Sequence, residues 1–337
     1  MTPFWKKFLH EGRGLFSRDA KPRFSLATFG KHPGWDDHID DIGLDTESLQ
    51  MAKQIFYIDG IGGQVDTGEW EKLTEEKGLE HFKHIFLWKR GAAFLLGKIN
   101  SSRDGKNRTK YPMILCAHCT GVSLDWALMH LLPRIEEAEV RCHAVQTADE
   151  VRSIIVTTTE TLRQAVAQAE DTGASFPPTP FIQSLALENP QEAIYRIIYF
   201  IRNQMTGYMN GARSEDESRM RPIEMRLPAN RGASVESMVF WTRFLESQLG
   251  KDVPFLVTVP LQETWLDVVV GEPTAREFHA LRAKPALVTF TSDVPYALDA
   301  AFRGENQELV AALLNSGTDF QAPGEPAAQG RRWFGKG

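Results

Sequence analysis

Cysteine is scarce in this sequence: Cys116, Cys119 and Cys142 are the only thiols among 337 residues. Three cysteines cannot supply the disulfide framework of a small secreted protein. Long hydrophobic runs are missing as well, since no apolar stretch approaches the roughly 18–20 residues that span a bilayer. Phe4–Phe16, the one leader-like stretch, is interrupted by Lys6, Lys7, His10, Glu11 and Arg13, which argues against a signal peptide. The expected compartment is therefore the cytoplasm. Positive charge is not in excess either. The formal net charge is −6 and the basic residues are scattered or confined to loops, so no nucleic-acid partner is expected. The Gly-x-Ser-x-Gly elbow, the Gly-x-x-x-x-Gly-Lys-Ser/Thr phosphate loop and the His-Glu-x-x-His zinc motif are all absent. No cofactor is expected.

What the chain does contain is ordinary globular patterning, with 42% apolar residues and enough length to bury a sizeable core. Phe24–Gly30 reads as a strand, followed by helical spacing of Leu49, Ala52, Lys53 and Phe56 that should end near Gly60–Gly63. A hairpin of His84–Lys89 and Ala92–Ile99 turns at Arg90-Gly91, and Tyr111–Cys116 makes a third strand. Leu124, Leu128, Leu131 and Ile135 form a helical stripe that Pro133 should kink or break. Thr147 and Glu150 spell a capping box ahead of a helix reaching Val166. Asn189 and Pro190 open a second helix, running to Met205.

Further on, Pro222–Leu227, Phe255–Val259, Trp265–Val270 and Ala286–Thr291 read as strands. A helix Ser234–Leu249 is closed by Gly250, and another starts from Pro273. Phe176–Pro180 reads as a rigid connector and Gly207–Arg219 as a mobile loop. The expected organisation is an extension over 1–22, one α/β domain over 23–300 with a helical insertion at about 147–215, a C-terminal helix over 301–317, and a flexible tail over 318–337. Phe4, Trp5, Phe8 and Leu9 give the extension a possible peripheral membrane contact.

Side-chain chemistry concentrates in two places. Phe29–Leu44 packs Lys31, His32, Asp36, Asp37, His38, Asp40 and Asp41 around a Pro33-Gly34 turn. Ser101–Cys116 carries Arg103, Lys106, Arg108 and Lys110 into an apolar strand. One reading of the first cluster is a metal site, making the protein a metal-dependent hydrolase or phosphatase that uses Asp36, Asp37, His38 and Asp59. Against it, adjacent residues point in different directions, and Asp side chains in turns commonly bond local N–H groups. Cys116-Ala-His-Cys119 with Cys142-His143 offers zinc ligands on paper, but the pairs lack a finger spacing and buried cysteines act as small hydrophobes. Asp59-Gly-Ile-Gly-Gly63 resembles the metal-holding turn of PPM-type Ser/Thr phosphatases, but the rest of that ligand set is missing. Arg103 and Arg108 fit either an acidic partner or Asp36, Asp37 and Asp40 within the fold.

Together the two segments resemble the TagF (ImpM-type) family of type VI secretion accessory proteins. The residues concerned are Gly30-Lys31-His32-Pro33-Gly34-Trp35-Asp36-Asp37 and Asp104-Gly-Lys-Asn-Arg108-Thr-Lys-Tyr111-Pro112. Phe240-Trp241 and the Gly271-Glu-Pro273 turn add to the likeness, while Asn107-Arg108 stands where the family carries Gly-Arg. The resemblance implies a longin-like α/β fold with a mixed, largely antiparallel sheet flanked by helices, and no catalysis. It also implies control of a bacterial contractile secretion apparatus through a forkhead-associated scaffold or a membrane subunit. Lys31, Pro33, Trp35, Asp36, Asp37, Arg103, Asp104, Arg108, Tyr111 and Pro112 are the partner-binding or structural motif residues so implied.

Overall fold

The structure is a computed structural model, describing residues 22–169, 180–212, 221–250 and 252–317. Seven strands form one sheet: β1 (Arg23–Gly30), β2 (Lys83–Arg90), β3 (Ala93–Ser101), β4 (Pro112–Thr120), β5 (Ile223–Pro228), β6 (Phe255–Pro260) and β7 (Trp265–Val270). Their order across the sheet is β1-β4-β3-β2-β6-β7-β5, and all six pairings are antiparallel. The first half of the chain thus supplies four neighbouring strands and the second half three, joined where β2 meets β6.

Both faces of this sheet are covered, which is why its strands read as nearly continuous apolar runs. Alternate residues serve the two sides. In β4, Met113, Leu115, Ala117 and Cys119 enter the larger core, while Ile114 and Cys116 enter the smaller one. The larger core is closed by α3 (Leu124–His130), α4 (Leu132–Ala144), α5 (Ala148–Ala167), α6 (Phe181–Ser184), α7 (Pro190–Ala212), α8 (Ser234–Leu249) and α9 (Ala300–Asn315). The smaller core lies under a continuous helical rod: α1 (Glu47–Ala52), a π-helical stretch Lys53–Gly62 and α2 (Gly63–Asp66). The 3-10 segment Glu277–Arg282 closes it from the other half, bringing Phe278 against Phe56 with ring centroids 5.1 Å apart.

Local signals set most helix ends. Thr147 and Glu150 form the reciprocal capping box, and Asn189 accepts from the Glu192 N–H at 3.1 Å. Pro133 falls in the first turn of α4, so the expected break lies at Leu131, between α3 and α4. Gly250 closes α8 with φ +88°.

Several expectations fail for identifiable reasons. The rod does not stop at Gly60–Gly63 but runs on to Asp66. Gly60 serves packing instead, because a Cβ there would lie 2.6 Å from the Phe278 ring. Ala286–Thr291 is not a strand. Ala286, Leu287 and Thr289 are exposed, and the Val288 carbonyl is taken by the Arg226 guanidinium at 3.2 Å rather than by a neighbouring strand. The loop expected over Gly207–Arg219 is helical as far as Ala212. The calls on Phe4–Leu9, on 318–337, on 176–179 and on 213–219 lie outside the described residues. Among the described residues, no helix is long and apolar enough to cross a membrane.

Candidate functional site

Antiparallel pairing brings the two chemistry-rich segments together. β1 ends at Gly30 beside Met113 of β4, so the turn that leaves β1 and the loop that enters β4 share one end of the sheet. Gly30 holds φ +109°, and a Cβ there would sit 2.2 Å from the Pro112 carbonyl oxygen. Only glycine tolerates both conditions. Directly after it, the Lys31 N–H donates to that same Pro112 carbonyl at 3.0 Å, which stitches the turn to the loop.

Asp104 organises the loop. Its carboxylate accepts from the Lys106 N–H at 2.9 Å, the Arg108 N–H at 3.0 Å, Arg108 Nε at 2.7 Å and Lys31 Nζ at 2.9 Å. This side chain has no solvent-accessible surface. Burial alone would raise its pKa. The Arg108 N–H, the Lys31 ammonium, the Arg108 guanidinium and the Lys106 N–H prevail, holding it far below the usual carboxylate range.

Lys31 is itself buried and bridges onward to Asp37 Oδ1 at 2.5 Å. Arg108 reaches the same oxygen at 2.9 Å and the Asp36 carbonyl at 2.8 Å. The Gly105 N–H donates to the Trp35 carbonyl at 2.7 Å. Hydrogen bonding by Lys31 pulls the Asp37 carboxyl down, and Asp104 raises the Arg108 guanidinium. Two cations and two carboxylates thus interlock across the seam, each charge answered by its neighbour.

The histidines of the turn are engaged as well. Gly34 N–H donates to His32 Nδ1 at 3.0 Å, so that nitrogen carries no proton. Nε2 then donates to the Cys142 carbonyl at 2.8 Å. Burial lowers the His32 pKa in agreement with this neutral tautomer, and the ring ties the turn to the end of α4. His38 Nδ1 lies 2.7 Å from the Tyr57 hydroxyl, and its ring meets those of Tyr57 and Tyr111 edge-on, both centroids 5.5 Å away. Trp35 is buried; its indole N–H donates to Asp40 at 3.0 Å, and Arg152 both pairs with Asp40 and stands over the indole ring. Lys53 pairs with Asp41, and Lys110 with Glu71.

The ten motif residues therefore fall into three groups. Lys31, Asp37, Asp104 and Arg108 form the ionic lock, and Trp35, Tyr111, Pro33 and Pro112 shape its walls. Asp36 and Arg103 are exposed. The alternative that Arg103 and Arg108 pair with Asp36, Asp37 and Asp40 divides: Arg108 takes Asp37, Asp40 takes Arg152, and Arg103 has no hydrogen bond or ion pair among the described residues. Lys106 likewise points out with its ammonium unpaired among them. Tyr57 and Arg152 were not readable as part of this site. Each reaches it from a separate helix, and no local motif marks either one.

The hydrolase ligand set does not assemble. Asp37 is bound to Lys31 and Arg108, His38 to Tyr57, and Asp59 accepts from Gln54 at 2.8 Å on the helical rod. Among the described residues, no group of three or more His, Cys, Asp or Glu side chains could hold a metal ion. Cys116 and Cys119 point to opposite faces of the sheet, as their odd spacing in a strand requires. All three cysteines are free and buried, and burial pushes their thiols up, Cys142 to about 12. A cavity of ≈ 480 Å³ lies at the opposite edge of the sheet beside β5. Neither a scan against models of known protein families nor a search of curated proteins finds a match to this chain.

Proposed function

We propose that this protein is a non-enzymatic regulator or adaptor, and that the seam between the 31–41 turn and the 101–111 loop is its docking face. The observation that carries the reading is the division of charge at that seam. Side chains of catalytic type are consumed in locking turn to loop, while Arg103 and Lys106 project outward without a partner among the described residues. A rigid face bearing spare charge suits recognition, where complementarity governs specificity and association rate more than raw affinity. The likeness of the same residues to the TagF family supports a role in controlling a contractile type VI secretion apparatus. The partner would then be a protein, either a forkhead-associated scaffold or a membrane subunit of that apparatus.

The test separates docking from folding. Arg103→Glu combined with Lys106→Glu should abolish co-purification with the scaffold or the membrane subunit, each supplied as purified protein, and leave the melting temperature unchanged. Reversing Arg108 instead would disturb the lock, so it is the wrong residue for this purpose. Undiminished binding by the Arg103/Lys106 double variant, or no complex with either protein, would overturn the reading.

A further inference from the structure

The ≈ 480 Å³ cavity stands apart from the docking face, at the other edge of the sheet. Six strand spacings place the two edges about 30 Å apart. The cavity lies within the size range of small-molecule sites. Phe200 of α7 and Ile223 of β5 give it apolar wall, and Glu224, Glu277, Arg221 and Arg276 give it charge of both signs. This lining differs from the docking seam in one respect: its charges do not neutralise one another.

Glu224 is the first sign. Oε1 of its carboxylate is closed off from solvent and accepts no hydrogen bond from the described residues. His279 Nε2 stands 3.7 Å away, too far for a hydrogen bond. His279 Nδ1 instead donates to the Arg276 carbonyl at 2.9 Å. Burial first, then Asp267 and Glu277, raise the Glu224 pKa against the pull of His279 and Arg226. A buried acceptor without a donor is costly, and a ligand that brings one is correspondingly favoured.

The arginines are the second sign. Arg221 and Arg276 line the same cavity, are exposed, and have no side-chain partner among the described residues. Glu277, the neighbouring acid, is occupied on Oε2 by the Thr274 N–H at 2.8 Å and hydroxyl at 2.7 Å. A small cation alone would meet two guanidinium groups at the entrance, and a small anion alone would meet Glu224. One molecule answers both if it carries both charges.

We infer that this cavity binds a small zwitterion of the amino-acid type with an apolar side chain, its ammonium set against Glu224, its carboxylate against Arg221 and Arg276, and its side chain against Phe200. Titration calorimetry and thermal shift on the full chain, with L-leucine, L-methionine and L-phenylalanine as probes, test it. Saturable heat and a raised melting temperature are expected for at least one probe. Phenethylamine and 3-phenylpropanoate, each lacking one charge, should bind at least about tenfold more weakly than L-phenylalanine. Glu224→Gln should weaken the best probe by at least about tenfold while the unliganded melting temperature holds or rises, since an orphan charge is removed. Arg276→Gln should weaken it with no change in the unliganded protein. No binding by any probe, equal binding by the single-charge compounds, or undiminished binding by Glu224→Gln would each overturn the inference.

Discussion

Arg226 and Asp267 meet in the middle of the sheet's far half, and Arg108 and Asp104 meet at its near end. Chemically the two pairs are alike. Arg226 grips Asp267 in a fork, Nε to Oδ1 at 2.7 Å and the terminal nitrogen to Oδ2 at 2.9 Å, and both side chains are buried. The rest of the guanidinium serves the Ala283 carbonyl at 2.8 Å and the Val288 carbonyl at 3.2 Å, and it lies over the Trp265 ring. This pair pins an irregular segment onto the sheet and offers nothing to solvent.

Arg108, by contrast, is half exposed, and of the two carboxylates it holds Asp104 is sealed and Asp37 is open to solvent. Its partners join two loops whose outer surfaces remain open. The same bond type therefore anchors structure in one place and presents a surface in the other, and depth decides which. In the interior, desolvation dominates and the pair matters by never being broken. At the surface, screening weakens each bond, and the shape that the bonds impose matters more than their energy.

This contrast can be broken experimentally. The largest effect belongs to Asp267→Ala, which strands a buried guanidinium and should cost about 3–5 kcal/mol by urea denaturation. Arg226→Met with Asp267→Leu, which removes both charges, should cost far less. If the single variant loses under about 1 kcal/mol, the buried pair is no anchor. Asp104→Ala comes next, at about 2–3 kcal/mol, because Lys31 loses its sealed partner and two loop N–H groups lose their acceptor. Hydrogen exchange should show the extra loss confined to residues 104–110 and the turn, with the far half unchanged.

The smallest effect is a slope against pH. The Asp104, Asp37 and Asp40 carboxyls are held below their unfolded values by hydrogen-bond donors, and Glu139, with His143, Asn100 and Lys98 opposing its burial, lies at about 2. Groups depressed in the folded state stabilise it above their unfolded pKa, near 4, and lose that contribution as pH falls through the folded value. The melting temperature should decline between about pH 4 and pH 2, and Asp104→Asn should flatten the decline. Asp267, raised by burial, has the opposite sign: its contribution is present at low pH and is lost as pH rises through its folded pKa. A profile unchanged by Asp104→Asn would remove the lock from the acid response.

The two pairs also differ in how far the sequence betrays them. Asp104 and Arg108 lie four residues apart in a loop full of charge, so their importance is plain on inspection. Arg226 and Asp267 sit in apolar strands that read as core, 41 positions apart, and nothing local connects them. Similarly, Thr147 and Glu150 announce their helix because a cap is a contact across three residues. Tyr57 and Arg152 do not announce their part in the seam, since each arrives there through packing of a whole helix. Ala286–Thr291 misled for the same reason: its alternation is strand-like, but Arg226 takes a carbonyl that a strand would have offered to a neighbour.

By itself, then, the sequence determined where most strands and helices lie, where they are capped, and which two segments hold the polar chemistry. Those properties rest on contacts within a few residues and on the period of apolar side chains. Only the tertiary structure decided that the two segments meet, that Asp104 and Lys31 are sealed while Arg103 and Lys106 have no partner among the described residues, and that Asp37 and Asp104 lock onto Lys31 and Arg108. Strand order set all three, because it places the end of β1 beside the start of β4, and side-chain charges find their partners through space.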